Sequence, residues 1–305
     1  MPERGVPPAT GLDRAVYAAT RIFALFISVL PRPVVLKAGS GLGALVFVLD
    51  GKHRAIALRN LARALGRSSS PGERRRIARR SFMNFVRSLV DALKTAGWSR
   101  ERVLAMIEIE GREHLENAHA RGRGVLLFTA HFGNWEMVVP PSSAVAPFHV
   151  IARALDNPLI ERDLLRARVR HGAVVVNKLG AGRPILRALD RGETVGILID
   201  QNVLRREAVF VDFFGVPAAT TPALAVFHIR TGAPILPMFC RPAPGAGYRM
   251  RFGPPVDVPL SGDETADVLK ITGVCTKMIE DEIRKNPALW LWVHKRWRSR
   301  PLHER

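Results

Sequence analysis

The stretch Gly124–Glu136, GVLLFTAHFGNWE, decides how the second half of this chain folds. Its apolar run, typical of a strand, ends abruptly at His131, and a carboxylate follows five residues later at Glu136. Five residues of α-helix turn through about 500°, so on one helix the two side chains would point roughly 140° apart. We therefore predict a strand that stops at His131, a turn at 132–134, and a helix that begins after Asn134.

This turn brings together the residues of a possible acid–base site. Gly133 permits unusual backbone dihedrals, and Asn134 is a residue type that caps helices, which leaves Glu136 in the first helical turn. We predict that Glu136 reaches back to His131, fixes the tautomer of the imidazole and stabilises its protonated form. The other ring nitrogen would then take a proton from a hydroxyl. The alternative is a structural histidine whose hydrogen bonds are satisfied within the fold.

The residues near His131 in sequence limit the kinds of reaction that this site could catalyse. No serine or cysteine nucleophile accompanies His131, so the base would activate the acceptor substrate directly. Backbone N–H groups at the start of the following helix would suit an oxyanion or a phosphate. Pro140 and Pro141 predict that this helix ends early.

Further strands of the same type follow Met106 and alternate with helical segments. The predicted strands are IEIE at 107, GVLLFTA at 124, FHVIA at 148, AVVV at 173, TVGILID at 194, AVFVDFF at 208, APILPMF at 233 and YRMRF at 248. This alternation predicts an α/β fold with a largely parallel mixed sheet flanked by helices. Ligands bind beyond the carboxyl ends of such strands, and His131 and Asp200 both follow predicted strands.

The N-terminal third is helical in pattern from Leu12 to about Trp98. We predict two regions: a helical membrane-associating region at 1–105 and an α/β catalytic region at 106–305. The apolar segment 15–30 contains Arg21 and is too short for the roughly 20 residues that span a membrane. It fits an in-plane interfacial helix, with a buried helix as the alternative.

Two other N-terminal motifs have simple explanations. The arginine-rich segment ERRRIARRSF at 73–82 is either a solvated helix face or a contact with an anionic surface. GSGLG at 39–43 follows helical sequence and lacks the strand of a dinucleotide fingerprint. Close packing of helices explains these glycines better.

The amino-acid composition indicates which classes of molecule the chain could bind. The 46 Lys and Arg against 27 Asp and Glu give a formal charge of +19, which attracts nucleic acid, anionic membranes, phosphorylated lipids or acidic carrier proteins. No nucleic-acid-binding motif is visible, so nucleic acid is the weaker alternative. Cys240 and Cys275 stand alone, which predicts no metal site and a reduced, cytoplasmic setting. The tryptophans of the segment 290–297 suit either a lipid headgroup interface or cation–π stacking within the fold.

HFGNWE resembles the H-x-x-x-x-E signature of the bacterial lipid A late acyltransferases, the lauroyl and myristoyl transferases of the lysophospholipid acyltransferase superfamily. The resemblance covers residues 12 to 301. It is carried in order by VIARALDNPLIERDLLRARVRHG from Val150, VVNKLG from Val175, GILIDQN from Gly196, VDFFGVPAATTPALA from Val211, RTGAPILP from Arg230 and PALWLWVHKRW from Pro287.

The resemblance implies transfer of a fatty acyl group from an acyl carrier protein thioester to a hydroxyl of a glycolipid precursor. It implies no cofactor beyond that thioester or its coenzyme A equivalent, and a monotopic or peripheral position on the cytoplasmic face of the inner membrane. His131 is then the general base and Glu136 its orienting partner. An acceptor such as a phosphatidylinositol mannoside, and hydrolysis by the same base, stay open as alternatives.

The resemblance also assigns substrate-binding residues. Arg153 matches an arginine near the anionic group of the acceptor, although it could simply pair with Asp156. Asp200 and Gln201 match the DQ of this branch, where glycerol-phosphate acyltransferases have E-G-T-R; a structural turn is the alternative.

Three weaker candidates complete the predicted site. Lys178 is either a substrate contact or a solvated loop charge. Phe213 and Phe214 either line an acyl pocket or belong to the core. Asn134 is included because it lies within the HFGNWE motif.

Overall fold

The computed structural model describes residues 8–302, so the outermost ends of both predicted regions lie outside the described part. Its helices are α1 Gly11–Val29, α2 Arg32–Leu49, α3 Gly51–Leu65, α4 Pro71–Thr95, α5 Arg100–Leu104, α6 Arg112–His119, α7 Val139–Ser142, α8 Pro158–Arg170, α9 Gly182–Asp190, α10 Ala223–Thr231 and α11 Glu264–Lys285. Its strands are β1 Ile107–Glu110, β2 Val125–Thr129, β3 Phe148–Ala152, β4 Ala173–Asn177, β5 Thr194–Leu198, β6 Val209–Phe213, β7 Val216–Thr220, β8 Ile235–Pro242 and β9 Tyr248–Phe252.

Seven strands form one sheet in the order β1-β9-β8-β2-β5-β3-β4. All neighbours run parallel except β8 and β9, so the predicted α/β class and the largely parallel mixed sheet are confirmed. The central strand β2 is buried along its whole length, which explains its continuous apolar sequence. This arrangement places the residues after β2 and β5 next to each other.

One predicted strand leaves the sheet. AVFVDFF forms β6, which pairs with β7 in a separate antiparallel ribbon. Phe214, at φ 60°, and Gly215, at φ 76°, make the tight turn between them. β7 was not among the predicted strands, because VPAAT contains small residues and a proline rather than a β-branched run.

Helices α2 and α4 pack closely, and the glycines of GSGLG explain how. A Cβ on Gly43 would lie 2.6 Å from the Cα of Met83, and one on Gly39 would lie 3.2 Å from the Cα of Arg87. The interpretation of GSGLG as a helix-packing motif is therefore confirmed. At the start of α4, Ser70 and Glu73 form a capping box, which satisfies N–H groups at the helix N-terminus.

The helical region shares its core with the sheet through the C-terminal segment. Asn60 of α3 donates a hydrogen bond of 2.7 Å to the carbonyl of Trp292, and Ser81 of α4 donates one of 2.6 Å to the carbonyl of Trp290. Trp290, Trp292 and Trp297 are all buried. The suggestion that these tryptophans reach a lipid headgroup interface is therefore wrong, because their rings fill the space between helices and sheet.

The outer faces of α1 and α2 carry exposed apolar side chains. They are Leu12, Val16, Ile22, Phe23, Leu25, Phe26 and Val29 on α1, and Val34, Leu42, Leu45, Val48 and Leu49 on α2. Among the described helices, α2 is long and apolar enough to cross a membrane, with a mean hydropathy of 1.5. A core helix or a signal sequence shows the same properties, so α2 is a candidate for membrane association and no more.

Candidate active site

His131 and Asp200 meet at the carboxyl edge of the sheet. His131 follows β2 and Asp200 follows the neighbouring parallel strand β5, with Thr129 opposite Leu198 in the register. The backbone N–H of His131 donates to Asp200 Oδ2 at 2.9 Å, and the ring Nδ1 lies 2.9 Å from Asp200 Oδ1. The prediction that both residues share one edge is confirmed.

Asp200 is buried, and it is held ionised by its surroundings. Trp290 Nε1 donates to Asp200 Oδ2 at 2.8 Å. Burial alone would raise the pKa of Asp200, but the charge of His131 and the hydrogen bonds from His131 and Trp290 lower it to about 2. An ionised carboxylate only accepts hydrogen bonds, so His131 carries its proton on Nδ1. In the neutral ring, Nε2 then has a free lone pair.

The Nε2 side of His131 faces polar and aromatic neighbours. Gln201 Nε2 lies 3.2 Å from His131 Nε2, which suits an amide N–H that donates to the ring nitrogen. The ring centroid of Trp135 lies 5.1 Å from that of His131, and Trp135 stacks on Phe85. The His131 side chain is 20% exposed, so part of the ring is open to solvent.

The loop that carries His131 is fixed at several backbone points. Gly133 has φ 59°, and a Cβ there would lie 1.9 Å from the carbonyl oxygen of Cys240. The N–H of Gly133 donates to the carbonyl of Leu289 at 2.9 Å, and Ser88 Oγ donates to the carbonyl of Gly133 at 3.1 Å. Only glycine fits this position, so the predicted turn after His131 is confirmed.

The segment after the turn differs from the expected helix. Residues Trp135–Val138 form a 3₁₀ turn, and the short α7 ends at Ser142 after Pro140 and Pro141. The early end predicted from the prolines is correct. The expected Asn134 cap is wrong, because the Asn134 side chain instead donates to the hydroxyl of Tyr248 at 2.8 Å.

The predicted contact between Glu136 and His131 is also wrong. Glu136 accepts two hydrogen bonds from Arg168 of α8, from Nη2 at 2.6 Å and from Nε at 3.0 Å. Asp200 already occupies the position beside Nδ1, while the guanidinium offers Glu136 a bidentate charged pair. Burial would lower the pKa of Arg168, but Glu136 raises it. Glu136 therefore connects the 3₁₀ turn to α8 through this ion pair.

Arg153 and Lys178 lie at the same sheet edge but farther from His131. Arg153 follows β3, two strands from β2, and Lys178 follows β4, three strands away. The Arg153 side chain is 76% exposed and pairs with Asp156 at 3.1 Å, the alternative that the sequence left open. Lys178 is exposed. Their contact with substrate stays a prediction.

Phe213 and Phe214 belong to the core. Phe213 packs edge-on against Trp290 with ring centroids 5.5 Å apart, so it supports the indole that holds Asp200. The guanidinium of Arg296 lies 5.2 Å from the Phe213 ring centroid, which is the cation–π stacking that the sequence left open.

Sequence reasoning missed two residues that shape the site, Trp290 and Arg168. Trp290 lay within a noted tryptophan cluster, but nothing in the local pattern connects it with Asp200, 90 residues away. Arg168 is one of several arginines of α8, and only the fold distinguishes it from the others. In both cases the contact joins elements that are distant in sequence.

A largely apolar cavity of about 320 Å³, with Asp50, His53 and Ser81 as its polar lining residues, lies between the N-terminal helices and residues 291–293. Its walls include Phe82, Phe85, Leu291 and Val293. The N–H of Leu291 donates to the carbonyl of His131 at 3.0 Å. The cavity therefore shares part of its wall with the backbone that positions the imidazole.

Comparison with known proteins identifies the family. The family described as Bacterial lipid A biosynthesis acyltransferase matches residues 10–299. The lipid A biosynthesis lauroyltransferase of Escherichia coli K12 is 30% identical over 275 residues, which covers 89% of this chain and 88% of the relative. The palmitoleoyltransferase of the same organism is 29% identical over 278 residues, covering 90% and 88%. A phosphatidylinositol mannoside acyltransferase of Mycolicibacterium smegmatis is 29% identical over 245 residues, covering 78% of both chains.

Proposed function

The chain belongs to the bacterial lipid A biosynthesis acyltransferase family, and we propose that it moves a fatty acyl group from an acyl carrier protein thioester to a lipid A precursor. The acyl group would join a hydroxyl of that glycolipid at the cytoplasmic face of the inner membrane. The observation that carries the proposal is the pairing of His131 with the ionised Asp200. This pairing leaves the lone pair of Nε2 to act as a base once a substrate hydroxyl replaces the Gln201 amide.

In the proposed reaction, His131 Nε2 removes the proton of the acceptor hydroxyl as the oxygen attacks the thioester carbonyl. The C–O bond forms, and the carbonyl electron pair moves to the oxygen of a tetrahedral intermediate. When that intermediate collapses, the C–S bond breaks and the departing sulfur takes the proton from the imidazolium. Asp200 stays ionised throughout and stabilises the positive charge of His131 between the two proton transfers.

Gln201 and the apolar cavity supply the remaining functions. The acceptor hydroxyl would replace the Gln201 amide at His131 Nε2, because the two compete for the same lone pair. The displaced N–H is then free to donate to a substrate oxygen. The cavity lined by Phe82 and Phe85 is suited to hold part of the acyl chain away from water.

The exposed apolar faces of α1 and α2 support a position at the membrane, where the glycolipid acceptor resides. The formal charge of +19 adds attraction to an anionic leaflet. Family membership also favours an enzyme over the nucleic-acid-binding alternative.

A second candidate acceptor is a phosphatidylinositol mannoside, because a relative of this chain carries that name. His131 and Asp200 would serve either acceptor in the same way, since both offer a sugar hydroxyl. Hydrolysis of the thioester would need the same base and water in place of the hydroxyl.

The test uses the full chain with vesicles that contain one acceptor at a time. Purified enzyme receives labelled acyl carrier protein, and mass spectrometry identifies any acylated lipid. We expect the lipid A precursor to gain one acyl group, and His131→Ala to remove that gain. Acylation of the mannoside alone would favour the second candidate, while release of free fatty acid without an acylated lipid would contradict acyl transfer.

A further inference from the structure

A strongly basic groove of about 970 Å³ lies beside residues whose neighbours hold the backbone of the His131 loop. Its walls come from α4, the end of β8, the end of α11 and the segment 286–289. Among its described lining residues, Glu73 is the one carboxylate, and seven are lysine or arginine. We call this surface the arginine groove.

One face of α4 supplies most of the positive charge. Arg76, Arg80 and Arg87 are four and seven residues apart, a spacing that places them on one side of a helix. They extend over about 16 Å at a rise of 1.5 Å per residue. Arg241, the residue after Cys240 on β8, faces them from the other wall.

These four arginines make no ion pair with a carboxylate within the described part of the chain, whereas the other cations of the groove do. Arg249 pairs with Glu108, Arg284 with Glu280, and Lys285 with Glu282. The hydrogen bonds from Ser70 already engage the Glu73 side chain as a cap. Arg76 lies close enough to Glu73 for its charge to help lower the pKa of that carboxyl, but one carboxylate does not balance four arginines. The groove therefore favours a ligand with several negative charges.

The arginine groove borders the backbone of the catalytic loop. Arg87 precedes Ser88, whose hydroxyl holds the carbonyl of Gly133. Arg241 follows Cys240, whose carbonyl accepts a hydrogen bond of 3.2 Å from the N–H of Asn134. A ligand bound in the groove is therefore one residue away from contacts that hold the His131 loop.

The lining of the groove favours a ligand that arrives from water. None of the large exposed apolar side chains of α1 and α2 is among its described lining residues. Arg76 and Arg80 are exposed, so their charges act at the solvent surface. The apolar faces that suit a membrane and the surface that suits anions are formed by different side chains.

We propose that the arginine groove docks the acidic carrier protein that delivers the acyl thioester. This inference rests on the proposed function, because it assumes that a carrier protein is the donor. An acidic surface of the carrier would lie along Arg76 and Arg80 and place its thioester arm toward the site of His131. Such charge pairing speeds association and is weakened by salt.

The experiment compares charge-reversed variants of the full chain in vesicles over one series of salt concentrations. Arg76→Glu and Arg80→Glu test the groove, and Arg79→Glu is the matched control. Arg79 is exposed on the same helix but does not line the groove. Three quantities are measured: the Kd of the carrier protein, the KM for its thioester, and the KM for the acceptor glycolipid.

We expect each groove variant to raise the Kd and the KM of the carrier about tenfold and to flatten their salt dependence. The acceptor KM and the transfer rate from an uncharged acyl-N-acetylcysteamine thioester should stay within about twofold of wild type. Arg79→Glu should change all of these values by less than about twofold.

The results that overturn the inference differ from those that overturn the proposed function. If the wild-type enzyme takes no acyl group from the carrier protein, the proposed donor and the groove assignment fail together. If the wild-type enzyme uses the carrier normally and the groove variants match Arg79→Glu, the groove assignment alone fails. An increase in the acceptor KM without a change for the carrier would assign the groove to the phosphates of the glycolipid and reject a carrier site.

Discussion

Two carboxylates flank the loop that carries His131, and they have different partners. Asp200 is buried and contacts both the backbone and the ring of His131. Glu136 has a side chain that is 19% exposed and binds Arg168. Glu136 is five residues from His131 in sequence, whereas Asp200 is 69 residues away. Glu136, which is closer in sequence, links the loop to Arg168, and the more distant Asp200 binds the imidazole.

The difference follows from the geometry of a parallel sheet. Residues that leave neighbouring strands at the same edge lie about 5 Å apart in backbone position, whatever their separation along the chain. Glu136 lies in a 3₁₀ turn, where its side chain meets α8. The short sequence spacing therefore predicted the wrong carboxylate as the partner of His131.

The largest effect should follow from loss of the base itself. His131→Ala removes the group that takes the hydroxyl proton, so we expect kcat to fall by up to about 10⁴-fold. The fold should persist, because Asp200 still accepts hydrogen bonds from the backbone N–H of residue 131 and from Trp290. Activity and melting temperature should be measured on one preparation. A destabilised variant with activity proportional to its folded fraction would show that His131 is structural.

The second prediction tests the two carboxylates directly with isosteric changes. Asp200→Asn should lower kcat by about 10²- to 10³-fold, because a neutral amide stabilises the imidazolium poorly and can favour the wrong tautomer. Glu136→Gln should lower kcat less than tenfold, since it does not touch the ring. The check is kcat for both variants under one set of conditions. Equal losses, or a larger loss for Glu136→Gln, would restore Glu136 as the catalytic partner.

Much of the fold was predictable because the signals for it are local. Five of the seven sheet strands are short, mostly apolar runs, and β1 and β9 alternate apolar with charged residues. His131 and Asp200 could be placed at one edge from their positions after apolar runs. The partners of these residues were less predictable. Trp290 and Arg168 reach the site from elements far away in sequence, and no local pattern states which of several tryptophans or arginines will do so. β7 was missed because its small residues gain their strand conformation from pairing with β6.

The third prediction concerns the stability of the fold, where Glu136 should matter more than it does for kcat. Glu136→Gln removes the charged partner that binds the mostly buried guanidinium of Arg168 and leaves the weaker influence of Glu161, so we expect the free energy of unfolding to fall by about 1–3 kcal/mol. Urea denaturation of the full chain in one detergent measures this change. Arg191→Gln is a suitable control, because Arg191 forms a similar pair with Glu193 but is exposed. A smaller loss for Glu136→Gln than for Arg191→Gln would contradict the structural role.

The fourth prediction concerns how the free energy of unfolding depends on pH through His294, which lies near Asp200. Burial lowers the pKa of His294 to about 4, although the charge of Asp200 opposes the shift. The unfolded chain then binds more protons than the folded one between pH 6.5 and 4, so this contribution to stability is lost as the pH falls through that range.

After a reduction for solvent screening of this partly exposed ring, the loss from pH 7 to pH 5 is roughly 1 kcal/mol. Denaturation of wild type and His294→Gln at both pH values measures it. The variant should lose less stability than wild type over this interval, and an identical loss in both proteins would refute the assignment to His294.

The smallest effect is expected at Arg153, whose pair with Asp156 is exposed, unlike the buried partner of His131. Replacement of an exposed ion pair changes stability by less than about 1 kcal/mol, so Arg153→Ala should unfold at nearly the wild-type urea concentration. If Arg153 contacts the anionic group of the acceptor, the acceptor KM should rise about threefold while kcat stays constant, because a contact made equally in ground and transition states affects binding alone. Arg162→Ala is the control, since Arg162 is also exposed and pairs with Asp163 on α8. An unchanged acceptor KM in Arg153→Ala would show that this arginine pairs with Asp156 and does not bind the acceptor. The residues that act on the substrate at this sheet edge would then be those that follow β2 and β5.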